Sequence, residues 1–156
     1  MKNLGPPRKK EKPITEVKPL VLYVEDNSEN QRVASYVLGK KYDVELVANA
    51  KDACAFIHKS AEKISIILMD IELQDSDLNG IQIAQLLRGK LPLPEMPEYA
   101  KTLVVTGIPI IFVTAYGNKY APSILLEAGG NRIISKPVDF VALQMAMTQI
   151  RLAPLK

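Results

Sequence analysis

Residues 64–70 read ISIILMD, a run that is apolar except for Ser65 and then ends abruptly on a carboxylate, Asp70. A continuous Ile-rich run this short matches a strand buried on both faces, the kind found inside parallel sheets. A charge within such a strand is costly, which places Asp70 at its carboxyl end, where the chain leaves the sheet. In open α/β sheets that edge is where ligands bind. Three other runs end in the same manner: Leu20–Val24 (LVLYV) meets Glu25 and Asp26, Pro109–Val113 (PIIFV) meets Thr114, and Arg132–Ser135 (RIIS) meets Lys136. Parallel pairing of these runs brings three carboxylates, a hydroxyl and an ammonium into one cluster.

The segments between the runs carry helical signals. Asn27 or Ser28 suits a helix N-cap, Glu29 suits the first turn, and the apolar spacing continues to Leu38 before Gly39. Asp43–Ala48 alternates in part and reads as a further strand. Ala50–Ala61 reads as a helix with Ala53, Cys54, Ile57 and Ala61 inward, and another begins near Gly80 and runs to Arg88. Strand four is expected over Ile108–Val113. A short helix follows, opened by Pro122 and closed at Gly129–Gly130, and a last one, capped by Asp139, spans Phe140–Arg151. Five strands alternating with five helices predict an α/β fold, a doubly wound sandwich on a five-stranded parallel sheet. One segment breaks the alternation: residues 89–107, GKLPLPEMPEYAKTLVVTG, an extended insertion between helix three and strand four. Loops this long in compact domains are uncommon and often functional, and a tolerated surface excursion is the competing reading. Leu103–Val105 is open to reading as a stray strand or as packing along the sheet edge.

A chain of 156 residues with 47% hydrophobic and 24% charged residues suits a single globular domain with a proper core. It has no apolar run near the roughly 20 residues of a membrane helix and no start resembling a signal peptide. With one cysteine, Cys54, it admits no internal disulfide and no Cys/His metal cluster, which fits a cytoplasmic location. The formal charge of +3 is uneven. Residues 1–19 hold six Lys/Arg against Glu11 and Glu16, a net +4, whereas the remainder has 14 basic and 15 acidic residues, a net −1. The expected organisation is a flexible, basic, Pro-rich tail over residues 1–18 and a domain over 19–152. The tail reads either as a solvated leader or as a weak anchor for nucleic acid, lipid or an acidic partner, and no folded DNA-binding module is visible.

Glu25, Asp26 and Asp70 repel one another unless a cation lies between them. Hard oxygen donors without Cys or His favour Mg²⁺. Such an ion also neutralises the oxygens of an incoming phosphoryl group, and an Asp carboxylate is a covalent phosphoryl acceptor. Thr114 offers a hydroxyl and Lys136 a mobile point charge to phosphoryl oxygens.

The set Glu25-Asp26, Asp70, Gly80, Thr114-Ala115 and Lys136-Pro137 resembles the receiver domain of two-component response regulators, over about residues 19–151. The resemblance implies a flavodoxin-like sheet of strand order 2-1-3-4-5. It implies that Asp70 accepts phosphate from a phosphohistidine on a sensor histidine kinase or histidine phosphotransfer protein. Asp26 and Asp70 then hold Mg²⁺ by their side chains, Glu25 through a bound water and Glu72 through its backbone carbonyl, while Thr114 and Lys136 read the phosphoryl group. Pro137 resembles the family's proline after the lysine, usually a cis peptide. The implied role is a phosphorelay switch rather than an enzyme proper, apart from self-phosphorylation and autodephosphorylation. It is expected to carry no output or DNA-binding domain of its own and to be a monomer or weak dimer. Its downstream protein binds the face made by helix four, strand five and helix five.

Several positions depart from the family pattern. Gly80 follows Asp70 by ten positions rather than about eight, so the segment between them is two residues longer and carries Asp75 and Asp77. Gln74 stands where the family often has proline. Ile133 occupies the position of the usual strand-five aromatic, and Tyr116 is an alternative ring near the site. His58, beside Lys59 in mid-helix, reads as a surface or helix-packing residue, and Cys54 as a small core residue.

Rival functions follow from the same fold. An Asp-nucleophile phosphatase resembles this pattern but wants a second Asp where Glu72 stands, and a cap domain. A flavin or nucleotide binder needs a Gly- or hydroxyl-rich loop after strand one, opposite in charge to Glu25-Asp26. A degenerate receiver acting as a phosphorylation-independent protein-interaction module is the remaining alternative.

Overall fold

The computed structural model describes residues 5, 17–103, 105, 107–115 and 119–152. Most of the basic tail expected over residues 1–18 therefore lies outside the described residues, as does Tyr116.

Five parallel strands form one sheet: β1 (Leu20–Val24), β2 (Asp43–Val47), β3 (Ile64–Met69), β4 (Ile110–Thr114) and β5 (Arg132–Ser135). Their order is β2-β1-β3-β4-β5. The connecting helices are α1 (Ser28–Leu38), α2 (Ala50–Ser60), α3 (Gly80–Leu87), α4 (Pro122–Glu127) and α5 (Phe140–Leu152). This is the expected doubly wound architecture. Strand four differs in its bounds: it starts at Ile110, two residues after Ile108, and includes Thr114, which pairs with Ser135. Pro109 can still accept from Ile67 N–H, but it has no N–H of its own to extend the ladder.

Both faces of the central strands are covered, which explains their uninterrupted apolar sequence. On one face Leu22, Val24, Ile67, Met69, Ile110 and Phe112 pack against α2, α3 and α4. On the other, Val21, Tyr23, Ile66, Leu68, Ile111 and Val113 pack against α1 and α5. A register irregularity at Leu20/Val21 opposite β3 lets Ile64 and Ile67 share a face despite their odd spacing.

Local caps set the helix starts. Asn27 accepts from Asn30 N–H at 2.9 Å, Asn49 from Asp52 N–H at 2.8 Å, and Asn79 forms a reciprocal capping box with Gln82 on α3. Asp139 accepts from the N–H groups of Val141 and Ala142.

The insertion over 89–107 is a packed connection. It forms two single turns, Leu93–Glu95 and Glu98–Ala100. Leu91, Ala100 and Leu103 are buried in the core shared with α2 and α3, and Val105 N–H donates to Leu87 C=O at 2.9 Å. Neither described residue of 103–105 lies in a strand; Leu103 is buried in, and Val105 packs against, the core on the face of α2 and α3. At its end, the half-buried guanidinium of Arg88 donates to the carbonyls of Gly129, Val105 and Ile108, the last at 2.7 Å. Gly129 (φ 117°) is left-handed, and a Cβ there would lie 2.4 Å from Arg88 Cγ, so both the turn and the guanidinium contact need glycine.

A second glycine positions the sheet edge. Gly80 opens α3 against Asp70, and a Cβ on it would lie 1.9 Å from the Asp70 carbonyl oxygen. Gly80→Ala is expected to destabilise the fold by about 1–3 kcal/mol through overpacking against unyielding backbone. A shift of the urea midpoint with an unchanged slope measures it, and an unaltered midpoint refutes this account of Gly80.

Candidate functional site

The carboxyl ends of β1, β3, β4 and β5 meet at one edge. Glu25 follows β1 and is fully buried, its N–H held by Val47 C=O at 2.9 Å. Asp70 follows β3, is 5% exposed, and donates its N–H to Val24 C=O at 3.0 Å. Thr114, the last residue of β4, is fully buried. Lys136 follows β5, its N–H held by Thr114 C=O at 2.9 Å, and the Lys136–Pro137 bond is cis. The strand-end residues read from the sequence are thus brought together.

Lys136 Nζ lies 3.0 and 3.1 Å from the two Glu25 oxygens and 3.0 Å from Asp70 Oδ2. Asp70 Oδ1 accepts from Ile71 N–H at 2.8 Å. Asp26 Oδ2 accepts from Gln74 N–H at 2.8 Å. Ligand oxygens of Glu25, Asp26 and Asp70 all lie within 4.8 Å of one another, close enough to share a metal ion. Asp75 and Asp77 do not belong to that trio. The cleft above it, about 420 Å³, is lined by Asp26, Asn27, Ser28, Asp70, Glu72, Gln74, Ala115 and Lys136. The Glu72 side chain turns to the far wall, where Lys119 Nζ (3.1 Å) and Tyr120 OH (3.3 Å) contact one oxygen.

Some participants carry no sequence signal of their own. Asn30 donates to Glu25 Oε1 at 2.5 Å and Gln31 to the Glu25 carbonyl at 2.6 Å. Their positions on the first turn of α1, five and six residues after Glu25, are consistent with a side chain reaching back but do not demand it. Gln74 matters for its backbone: a proline there has no N–H to give Asp26. His58 is exposed on α2. Cys54 is buried in the core, which pushes its thiol up to about 12 and leaves it unreactive.

The charges are in tension. Burial, and then the hydrogen bond with Glu25, raise the Asp70 carboxyl from 3.8 to about 7. Burial also opposes the charge of Glu25, but hydrogen bonds from Asp70, Asn30 and Lys136 outweigh it and hold its carboxyl below the ordinary range. The Lys136 ammonium loses solvation too, yet the two carboxylates beside it raise its proton affinity. A folded-state value above the unfolded one means the folded chain holds the Asp70 proton more tightly. That contribution is complete below pH 3.8 and is lost as the pH rises through about 7. In metal-free buffer, Asp70→Asn is expected to gain about 1–3 kcal/mol relative to the parent protein as the pH rises across that window. Denaturant unfolding of both proteins along the series checks it, and parallel profiles refute it.

A model of the response regulator receiver domain family matches residues 21–148. The chain is 34% identical over 124 residues to hybrid signal transduction histidine kinase M of Dictyostelium discoideum, a match covering 79% of this chain and 5% of that protein. It is 30% identical over 144 residues to response regulator mcs4 of Schizosaccharomyces pombe, covering 83% and 27%. The chain thus spans about a quarter or less of these relatives' lengths. Among solved structures, it is similar to the receiver domain of sensor histidine kinase PA1611 from Pseudomonas aeruginosa PAO1, which has a magnesium ion coordinated in its active site cleft. That similarity has 27% identity and a TM-score of 0.66, covering 87% of this chain and 99% of that one. With the sheet order, the strand-end cluster and these matches in agreement, the chain belongs to the response regulator receiver domain family.

Proposed function

We propose that this chain is a phosphoacceptor in a two-component phosphorelay, phosphorylated on Asp70 by a sensor histidine kinase or histidine phosphotransfer protein. The observation that carries the reading is the Asp70 carboxylate, almost closed to solvent, ion-paired to Lys136 at 3.0 Å and crowded by Glu25 and Asp26. A structural carboxylate in a closed pocket is normally neutralised by its partners, whereas here two buried acids share one ammonium with a third acid beside them.

The donor set fits Mg²⁺: all-oxygen, anionic, and open on the cleft side. Asp26 and Asp70 would hold the ion by their side chains, Glu25 through a bound water and Glu72 by its backbone carbonyl. When bound, the ion supplies charge neutralisation to phosphoryl oxygens. The chain's own residues do the rest. An ionised Asp70 oxygen attacks the phosphorus of a phosphohistidine; the P–O bond forms as the P–N bond breaks, and the electron pair leaves on the imidazole. Lys136 moves from pairing the carboxylate to pairing the new phosphoryl group, and the Thr114 hydroxyl donates to it.

Phosphorylation adds charge where the ends of β4 and β5 already meet. It shifts the population of the α4–β5–α5 face, which binds a downstream protein. Ile133, half-buried beside Phe112 in the ladder, carries no ring, so the coupling runs through Lys136 at the end of β5 rather than through an aromatic flip at that position. The chain works as a monomer or weak dimer in the cytoplasm. Among the described residues no helix is long and apolar enough to cross a membrane.

With acetyl phosphate and Mg²⁺, the protein is expected to gain the mass of one phosphoryl group, and Asp70→Asn to gain none. Turnover of a free phosphoester without a phosphoprotein overturns the reading in favour of a phosphatase. Lys136→Ala is expected to blunt phosphorylation-dependent partner binding with a smaller effect on Mg²⁺ affinity. Ion titration set beside a binding assay measures both, and an intact partner response refutes the role given to Lys136.

A further inference from the structure

The loop from Asp70 to Asn79, between β3 and α3, is seated by the buried side chains of Ile71 and Leu78 and, at Glu72, by Lys119 and Tyr120; three further attachments hold its 74–77 stretch. Gln74 N–H donates to Asp26 Oδ2 at 2.8 Å, which is an attachment to the site itself. The Ser76 hydroxyl accepts from Ala50 N–H at 3.0 Å, at the start of α2, and donates to Leu78 C=O at 2.6 Å. Asp77 accepts from the Tyr99 hydroxyl at 2.5 Å. Between the first two attachments Asp75 takes a left-handed φ of 55°, uncommon outside glycine and better tolerated by Asp than by most side chains.

Tyr99 belongs to the 89–107 connection, the segment that breaks the strand–helix alternation. Its ring packs against the main core and the next residue, Ala100, is fully buried. The hydroxyl is therefore offered from a fixed platform, and a phenol–carboxylate hydrogen bond of this length is charge-assisted.

We propose that Tyr99 is a positioning residue for the acidic site, holding the β3–α3 loop through Asp77 so that Gln74 N–H stays on Asp26. This rests on reading Glu25, Asp26 and Asp70 as a Mg²⁺ site. With the loop held, one oxygen of Asp26 is occupied and the carboxylate is fixed in orientation. Released, the loop and the carboxylate must be ordered when the ion binds, which weakens binding.

The test uses the full chain as wild type, Tyr99→Phe, which keeps the packed ring, and Asp77→Asn, which keeps an acceptor. Hydrogen exchange of the 71–79 segment reports the clamp, exchange in β1 and α5 reports the fold, and calorimetric Mg²⁺ titration reports the site. Tyr99→Phe is expected to speed exchange in the loop alone and to weaken Mg²⁺ binding by about 3- to 10-fold, below the range for groups bonded directly to a ligand. Asp77→Asn is expected to fall between the two. Loop exchange unaltered in Tyr99→Phe overturns the clamp, whatever the wild type binds. A looser loop with unchanged Mg²⁺ affinity overturns the positioning role. A wild type that binds no Mg²⁺, with a loop that still loosens in Tyr99→Phe, overturns the reading of the site and supports the clamp.

Discussion

Lys136 faces Glu25 and Asp70 at once, 3.0 Å from an oxygen of each, in a pocket where Glu25 has no solvent exposure and Asp70 almost none. One ammonium cannot neutralise two buried carboxylates with Asp26 beside them, so the cluster remains electrostatically unsatisfied. Such an arrangement survives only if the backbone carrying it cannot relax. The parallel sheet meets that condition. Glu25, Asp70 and Lys136 are each tied by their own N–H to the neighbouring strand, at Val47, Val24 and Thr114 respectively. Strand pairing thereby converts hydrophobic burial, several residues away, into enforced proximity of like charges.

The strands were legible because of that burial. Ile64–Met69 and Ile110–Val113 are covered on both faces, so the chain shows continuous apolar runs rather than alternation, and the polar residue ending each run marks the sheet edge. Helix starts at Asn27 and Asp139 were legible for a different reason, since a side-chain cap is a local interaction. The shift of β4 to include Thr114 was less so. A hydroxyl at a strand end gives no hint whether it pairs with the neighbour, and Ser135 decides that from another part of the chain.

Contacts between irregular segments left no trace in periodicity. The Gln74 N–H on Asp26 is a backbone interaction, and sequence shows only that proline is absent. The extra length between Asp70 and Gly80 and the long connection at 89–107 were each visible, but nothing in either announced that Asp77 and Tyr99 meet. Placing the connection against α2 buries Ala100 and Leu103 and accounts for the breadth of the apolar surface on α3, where six of eight residues are buried. A helix packed against the sheet alone would show a narrower stripe.

Arg88 has a consequence for how α4 can move. Its guanidinium holds Gly129 C=O, and Lys90 Nζ holds Glu127 C=O at 2.8 Å, so the far end of this six-residue helix is bolted down. Its opening end, at Ala121, has no side-chain cap. A rod held more firmly at one end than at the other swings rather than slides. Any displacement of α4 would therefore pivot about its Gly129 end and carry the half-exposed Ile124 further than Ala128.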